Sequence, residues 1–375
     1  MKFSCEKAIF QAAVTTAGRV VAPKSTIQAL EGVLLEAGTD GLLSVSGYNL
    51  ETGIVSQVEA EVKEPGAIVL SARLLGEILR KMPDDMVSVT SVSSDSVNIT
   101  CGPTKFEDIK GSSDEDFPNL PTVSAGSELT LSQGDLRAMI GQTVFAVSDN
   151  ESRPIHTGEL FETDGKTLTV VAVDGYRLAL RREKLQNQPA TDGLSFVVPG
   201  AALREVEKIC ADSDEAAVIT AGDRHIMFRM GTTTLVARRL EGEFLNYRQT
   251  VPHNNAIVLE ADCASLQLSI DRASLLINEK LKSPLRCKFE DGSLSISSRT
   301  AIGSAFDRCP VDGDGKGLEI GFNNRFLMEA VKAAPAPRVR LELNTPTSPC
   351  LILPLEGEED NFFYMVLPVR LRAEG

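Results

Sequence analysis

No stretch of this 375-residue chain approaches the run of about 18 apolar residues that a membrane-crossing helix needs, so no transmembrane span is expected. The amino terminus, MKFSCEKAIF, is charged and strand-like and has no apolar h-region, which predicts no secretory signal. Seven cysteines, at 5, 101, 210, 263, 287, 309 and 350, are odd in number and never spaced as CxxC. That argues against a disulfide framework or a zinc site and predicts buried thiols in a reducing cytosol. Catalytic signatures are absent as well. There is no GxxxxGK[ST], no GxGxxG opening a helix, no HExxH and no GxSxG, and His156, His225 and His253 stand isolated. Positive charge is scarce: 38 Lys and Arg against 52 Asp and Glu leave a net charge of −14 at pH 7. Proteins that grip nucleic acid by its phosphates usually carry a basic excess. Either there is no DNA partner, or the cations are gathered on one face.

What the chain does have is a threefold repeat at about 126 residues. SARLLGEILRK from Ser71, PGAALREVEKI from Pro199 and NNRFLMEAVKA from Asn323 each follow an apolar strand. Aligned, Leu75, Leu203 and Leu327 coincide, as do Glu77, Glu205 and Glu329, and Arg80, Lys208 and Lys332; Arg73 also matches Arg325. A second helical set recurs in step: EKAIFQAAV from Glu6, SQGDLRAMI from Ser132 and ADCASLQLSI from Ala261. A period this long is domain-sized, so the chain is three copies of one domain and not a solenoid. Hydrophobic content of 42% and charged content of 24% are those of a soluble globular protein.

Between the helices, GLLSVSGYNLETGIVSQVEAEV, MVSVTSVSSDSVNITCG and GKTLTVVAVDGYRLALRRE alternate apolar and polar residues, broken by Gly, Asn and Asp turns. Period-two alternation predicts antiparallel sheet buried on one face. The fold class is therefore α+β, with two helices and antiparallel strands per copy. In the helix after Ser71, Leu74, Leu75, Ile78 and Leu79 form the apolar stripe, and Arg73, Glu77, Arg80 and Lys81 fall largely opposite. Ser71 and Asn323 are expected N-caps, and Pro199 suits a first turn. The joints DFPNLPTVSAGSE and EFLNYRQTVPHNN place the domains at 1–125, 126–253 and 254–375. VDGDGKGLEI near Asp312 matches only part of a calcium loop and lacks its terminal Glu, so it reads as a surface hairpin. Asp174–Gly175 reads as a turn ending a strand. The rival reading is a cytosolic hydrolase or transferase built on triplicated domains and using Asp174 and His156.

The segments GELFETDGKTLTVVAVDGYRLAL (158–180), LEGEFLNYRQTVP (240–252), DFPNLP (116–121), IGFNNRFLMEAVKA (320–333) and YMVLPVRL (364–371) closely resemble the bacterial DNA polymerase III beta subunit, the sliding clamps. The similarity runs from MKF to Leu371, and DGYRLA and LPVRL are its most specific signals. The resemblance implies three clamp domains per subunit and two subunits joined head to tail in a ring around duplex DNA. It implies no enzymatic activity and no cofactor or metal. The partners it implies are sequence-independent duplex DNA, the replicative polymerase, a clamp loader and other polymerases and repair proteins, in the cytoplasm.

Site residues follow from the same resemblance. A peptide-binding pocket is expected from His156, Val173, Gly175, Tyr176, Arg177, Leu178, Leu245, Gln249, Thr250, Met365, Leu367, Pro368, Val369 and Arg370. If the six helices line the hole, their polar faces should carry cations, and Arg73, Arg80, Lys81, Arg137, Arg204, Lys208, Arg272, Arg325 and Lys332 all lie on them. Lys24, Asn150 and Arg153 are added as loop contacts to DNA. Phe106, and Leu275 with Leu276, are expected on opposite sides of the ring joint. An encircling ring needs few phosphate contacts, which accommodates the acidic total. The chain departs from the family in places. Many members have histidine at Tyr176, arginine at Gln249 and proline at Leu245. Aromatic residues that some members carry near Pro154 and Ile155 are missing, as is a basic pair after Pro199, and Arg372–Gly375 extends past the usual terminal Arg-Leu.

Overall fold

Each of the six helical windows forms a helix in the computed structural model, which describes residues 1–123, 126–189, 193–278, 283–357 and 359–371. They are α1 (Lys7–Ala17), α2 (Ala72–Lys81), α3 (Gln133–Gly141), α4 (Gly200–Ile209), α5 (Cys263–Ser274) and α6 (Asn324–Ala333). Ser71 caps α2 by accepting the Leu74 N–H, and Asn323 caps α6 by accepting from Arg325 and Phe326. These bonds satisfy amides that the first turn leaves without carbonyl partners. Pro199 stands one residue outside α4, as the last residue of strand Ser195–Pro199, and pairs there with Gly158. The stripe of α2 is narrower than its spacing suggests. Leu75, Ile78 and Leu79 are buried, whereas Leu74 is 42% exposed, because it sits at the shoulder of the stripe.

The chain divides into two compact units, each holding one sheet. The first comprises Met1–Arg137, Gln186–Thr191 and Glu205–Arg239. Among the described residues its sheet has thirteen strands, and its paired neighbours run antiparallel. Strands Ser127–Ser132, Ala216–Ala221, His225–Met230 and Thr233–Arg238, from the middle copy, meet the first copy where Thr233–Arg238 pairs with Thr52–Glu59. The core of this unit gathers Phe3, Phe10, Leu35, Val45, Ile78 and Leu79, with Phe3 and Phe10 edge to face at 5.7 Å. Fully burying each such side chain contributes roughly 1.5–3 kcal/mol.

The second unit comprises Ala138–Leu185, Asp192–Arg204 and Leu240–Gly375, and among the described residues its sheet has ten strands. Here Arg177–Lys184, from the middle copy, pairs antiparallel with Phe362–Val366, from the last. The long strands Leu285–Thr300 and Gly303–Phe322 form a hairpin that turns at residues 301–302. VDGDGKG is thus not a hairpin tip but a bulged excursion inside the second of these strands. The register shifts on either side of the Asp291–Asp314 pair, with Gly313, Lys316 and Gly317 at positive φ. Asp312 there holds Arg338.

All seven cysteines are buried free thiols. Burial pushes Cys5 and Cys263 up to about 11 and Cys210 and Cys350 up to about 12, so none of these four is a thiolate at neutral pH. Among the described residues, no helix is long and apolar enough to cross a membrane, and no cluster of His, Cys, Asp and Glu is arranged to hold a metal ion.

Candidate functional site

Period-two pairing builds the floor of the site. Val173 pairs with Leu178 across the Asp174–Gly175 turn, Leu178 pairs with Met365, and Met365 pairs with Leu351. Opposed residues on adjacent strands share a face. One row of apolar side chains therefore crosses four strands, and it joins Leu160, Leu180, Tyr247 and Phe363 in a single cluster. Val173, Leu178 and Met365 are themselves buried. The partly buried Ile155, Leu240, Phe244, Val251 and Leu367 pack over the cluster. At the border, Tyr176 is 63% exposed, Leu245 41% and Val369 38%, an apolar rim open to solvent around a filled floor.

Two backbone features hold the rim. Gly175 sits at φ +88°, where a β-carbon would be strained, and the Asp174 carboxylate caps the turn by accepting the Tyr176 and Arg177 N–H groups. The tail is stitched down by alternate amides: Leu367 N–H donates to Tyr176 O at 2.9 Å and Val369 N–H to Gly321 O at 2.7 Å. Pro368, which has no N–H, falls between them. A β-carbon at Gly321 would lie 2.5 Å from Val369 O, so glycine is what allows the tail to approach. The four residues after Leu371, Arg372–Gly375, lie outside the described residues.

The linker carrying Leu245, Gln249 and Thr250 is anchored by the buried Tyr247, whose hydroxyl donates to Glu162; Arg248 pairs with the same carboxylate and lies 4.7 Å over the Tyr247 ring. Thr250 donates its hydroxyl to Tyr247 O, and Gln249 is exposed. His156 is half-buried, with its ring edge-on to Phe244 at 5.5 Å. Burial, aided by Arg153, lowers its pKa, so it is neutral at pH 7. Arg370 is exposed.

Arg177 differs most from its expected role. Its side chain is only 2% exposed and offers almost no surface to an incoming peptide, although the residue lines the small groove beside Tyr176. Its Nε donates to Asp174 at 2.9 Å, one terminal nitrogen to Glu329 of α6, and the other to the Phe145 carbonyl. The guanidinium lies 4.4 Å over the Phe326 ring, and Phe326 stacks on Tyr176 at 6.0 Å. Arg177 is a brace beneath the rim. With Asp174 committed to this brace and to the turn, and His156 to an aromatic contact, the hydrolase reading loses both its residues.

The helical cations fall into two groups. Arg80, Lys81, Arg137, Arg204 and Lys332 are exposed and carry no carboxylate partner among the described residues. Arg73 pairs with Glu77 at 3.2 Å, Lys208 with Glu205 at 2.7 Å and Arg325 with Glu329 at 3.1 Å. Arg272 does not belong with them: its guanidinium turns to Asp307 on the long hairpin, at 2.5 Å. Lys24, Asn150 and Arg153 are exposed on loops. Asn150 is brought beside the rim, where Ser148, Asn150, Tyr176, Arg325 and Phe326 line a small open groove of about 380 Å³.

Leu275, at the end of α5, is 77% exposed, and Leu276 beside it is half-buried near Gly303. Ile302 and Phe306, at the tip of the hairpin, are each 67% exposed. Sequence reasoning missed Phe306, although a signal was there: it occupies the outward phase of an alternating strand, in step with Ser304 and Arg308. Phe106 is half-buried and packs on the core of the first unit.

Known proteins place this arrangement in a class. The chain matches the N-terminal, central and C-terminal domains of the DNA polymerase III beta subunit over residues 1–121, 130–246 and 248–370. The chain belongs to the DNA polymerase III beta subunit family, the sliding clamps, which are non-enzymatic processivity factors of DNA replication. It is 30% identical to the beta sliding clamp of Staphylococcus epidermidis, over 99% of each chain. Among solved structures, it is similar to a DNA polymerase III beta subunit from Eubacterium rectale (TM-score 0.91, 34% identity, 98% of this chain and 99% of that one). It is also similar to the DNA polymerase sliding clamp of Bacillus subtilis (TM-score 0.92, 28% identity, 99% and 100%). A third likeness is to the Pseudomonas aeruginosa sliding clamp bound to griselimycin (TM-score 0.92, 27% identity, 99% and 100%).

Proposed function

We propose that the chain works as a head-to-tail ring of two subunits that encircles duplex DNA, with domains at 1–125, 126–253 and 254–375, in the cytoplasm. Replication and repair proteins dock a short linear peptide on the rim formed by Tyr176, Leu245, Leu367 and Val369. The replicative polymerase and a clamp loader are among them. The observation that carries this reading is the apolar row Val173–Leu178–Met365–Leu351, which runs across the pairing between the middle and last copies and ends in an exposed apolar border. A floor of apolar side chains with a few convergent polar groups suits a peptide with apolar anchors.

Sliding calls for weak contacts. Cations facing DNA interact with phosphates without reading bases, and pairing some of them to helical carboxylates keeps that attraction modest. Leu275 with Phe306 on one side, and Phe106 on the other, form the joint. The test is topological. Rings loaded onto nicked circular DNA should stay bound through gel filtration and should run off the same DNA once it is linearised. Equal loss from both forms would refute encirclement.

A further inference from the structure

One carboxylate stands between the two sites. Glu329 accepts from Arg177 on Oε2 and from Arg325 Nε on Oε1, at 3.1 Å for the latter. Arg177 is the buried brace, and Arg325, with its side chain 62% exposed, belongs to the set assigned to DNA. Together with Asp174, these residues form a closed set of two carboxylates and two guanidinium groups. Neither arginine can lose Glu329 without leaving that set unbalanced.

The repeat shows what is particular to this position. Glu77, aligned with Glu329, pairs among the described residues with its helical neighbour Arg73 alone. Glu205, also aligned, takes Lys208 and, at 3.5 Å, Arg19 from the preceding copy. Glu329 likewise takes a helical cation and an arginine from the preceding copy. Among the described residues, only here does that second arginine lie under an exposed aromatic stack, Phe326 on Tyr176. The small groove beside the stack has Arg325 in its wall as well.

We propose that Glu329 is a positioning residue for both ligands: it fixes the Arg177–Phe326–Tyr176 stack that borders the peptide pocket, and it restrains Arg325 from DNA phosphate. This rests on the pocket and DNA-facing readings above. The two roles have opposite signs. Glutamine at 329 offers one acceptor where two arginines each need one, so the brace slackens while Arg325 is released.

The experiment uses full-length rings. Affinity for a fluorescein-labelled hexapeptide carrying two leucines and a phenylalanine is measured by anisotropy, and affinity for a labelled duplex is measured across a salt series. Glu329→Gln should weaken the peptide about tenfold, the scale of a typical coupling between sites. The same variant should bind duplex more tightly, its log–log salt slope steeper by about 0.9, the increment of one added phosphate contact. A purely structural role would lower both affinities. Glu77→Gln, which releases Arg73 alone, should strengthen duplex binding and leave the peptide unchanged. Arg325→Ala should weaken duplex binding and spare the peptide. If Glu329→Gln folds poorly by circular dichroism, Glu329→Asp, which keeps the charge but is one methylene shorter, should show smaller shifts of the same opposite signs. Peptide binding that persists unchanged in Glu329→Gln, or duplex binding that falls with it, overturns the proposal alone. A wild-type ring that binds no peptide, or binds it equally well after Leu367→Ala, overturns the pocket reading and the proposal with it.

Discussion

Leu275→Ala tests the ring joint with little interference from folding. The side chain is 77% exposed in the single subunit, so its loss leaves no cavity there, and surface substitutions of this kind typically change stability by no more than about 0.5 kcal/mol. Leu276 is less suitable, because it is half-buried near Gly303 and its truncation would also disturb the subunit. If Leu275 is covered in the assembly, its burial contributes roughly 1.5–3 kcal/mol per joint. A closed ring of two subunits contains that joint twice, so one substitution removes about 3–6 kcal/mol from assembly. At about 1.4 kcal/mol per decade, the dimer dissociation constant should rise by about two to four decades. Sedimentation velocity over a dilution series reads that constant, and circular dichroism melting of the monomer checks the fold. Phe306→Ala, at the hairpin tip, should act in the same direction. A dissociation constant that stays within a factor of about three of wild type would remove Leu275 from the joint. A monomer that melts much earlier than wild type would show that the side chain serves its own subunit.

Three further expectations concern the other sites. Arg80→Ala with Lys332→Ala should flatten the salt dependence of duplex binding by about 0.9 for each phosphate no longer neutralised, whereas Arg73→Ala and Lys208→Ala, already paired to carboxylates, should do less; equal effects from both pairs would contradict the grouping. Leu178→Ala removes a side chain that is 1% exposed and should cost about 2–5 kcal/mol of stability by denaturant titration, while Leu367→Ala, only half-buried, should lose peptide binding with a smaller change in stability. His156 is held below its usual pKa by burial, so below about pH 6.5 the unfolded chain takes up a proton that the folded one resists. Stability from this group is complete above that pH and falls as the pH drops toward the folded value. His156→Gln should remove that part of the acid-side slope in thermal melts, and an identical slope would refute the assignment.

The six helices are legible in the sequence because each carries its own period and, at Ser71 and Asn323, its own cap, all within a dozen residues. The turn at Asp174–Gly175 is legible for the same reason: a carboxylate and a glycine suffice to make it. What escapes local pattern is decided by partners far along the chain. Arg177 reads as a rim residue until Glu329, 152 positions away, claims it. Arg272 sits among the helical cations by spacing, but Asp307 turns it toward the hairpin. Nothing near Thr233 shows that its strand pairs with Thr52–Glu59, because strand pairing depends on which edge is free in three dimensions. The bulge at Asp312 reads as a hairpin because Gly and Asp serve bulges and turns equally well.

The seven thiols have a use beyond packing. Because every one is buried and four are held at about 11 or 12, a thiol-alkylating reagent meets almost no thiolate in the folded protein. Cys5 and Cys101 lie in the core of the first unit, while Cys287, Cys309 and Cys350 lie in strands of the second. Alkylation followed by peptide mass spectrometry would therefore time the opening of each unit separately, with the native thiols as the only reporters and no residue substituted. A DNA-bound ring could be compared, cysteine by cysteine, with a free one.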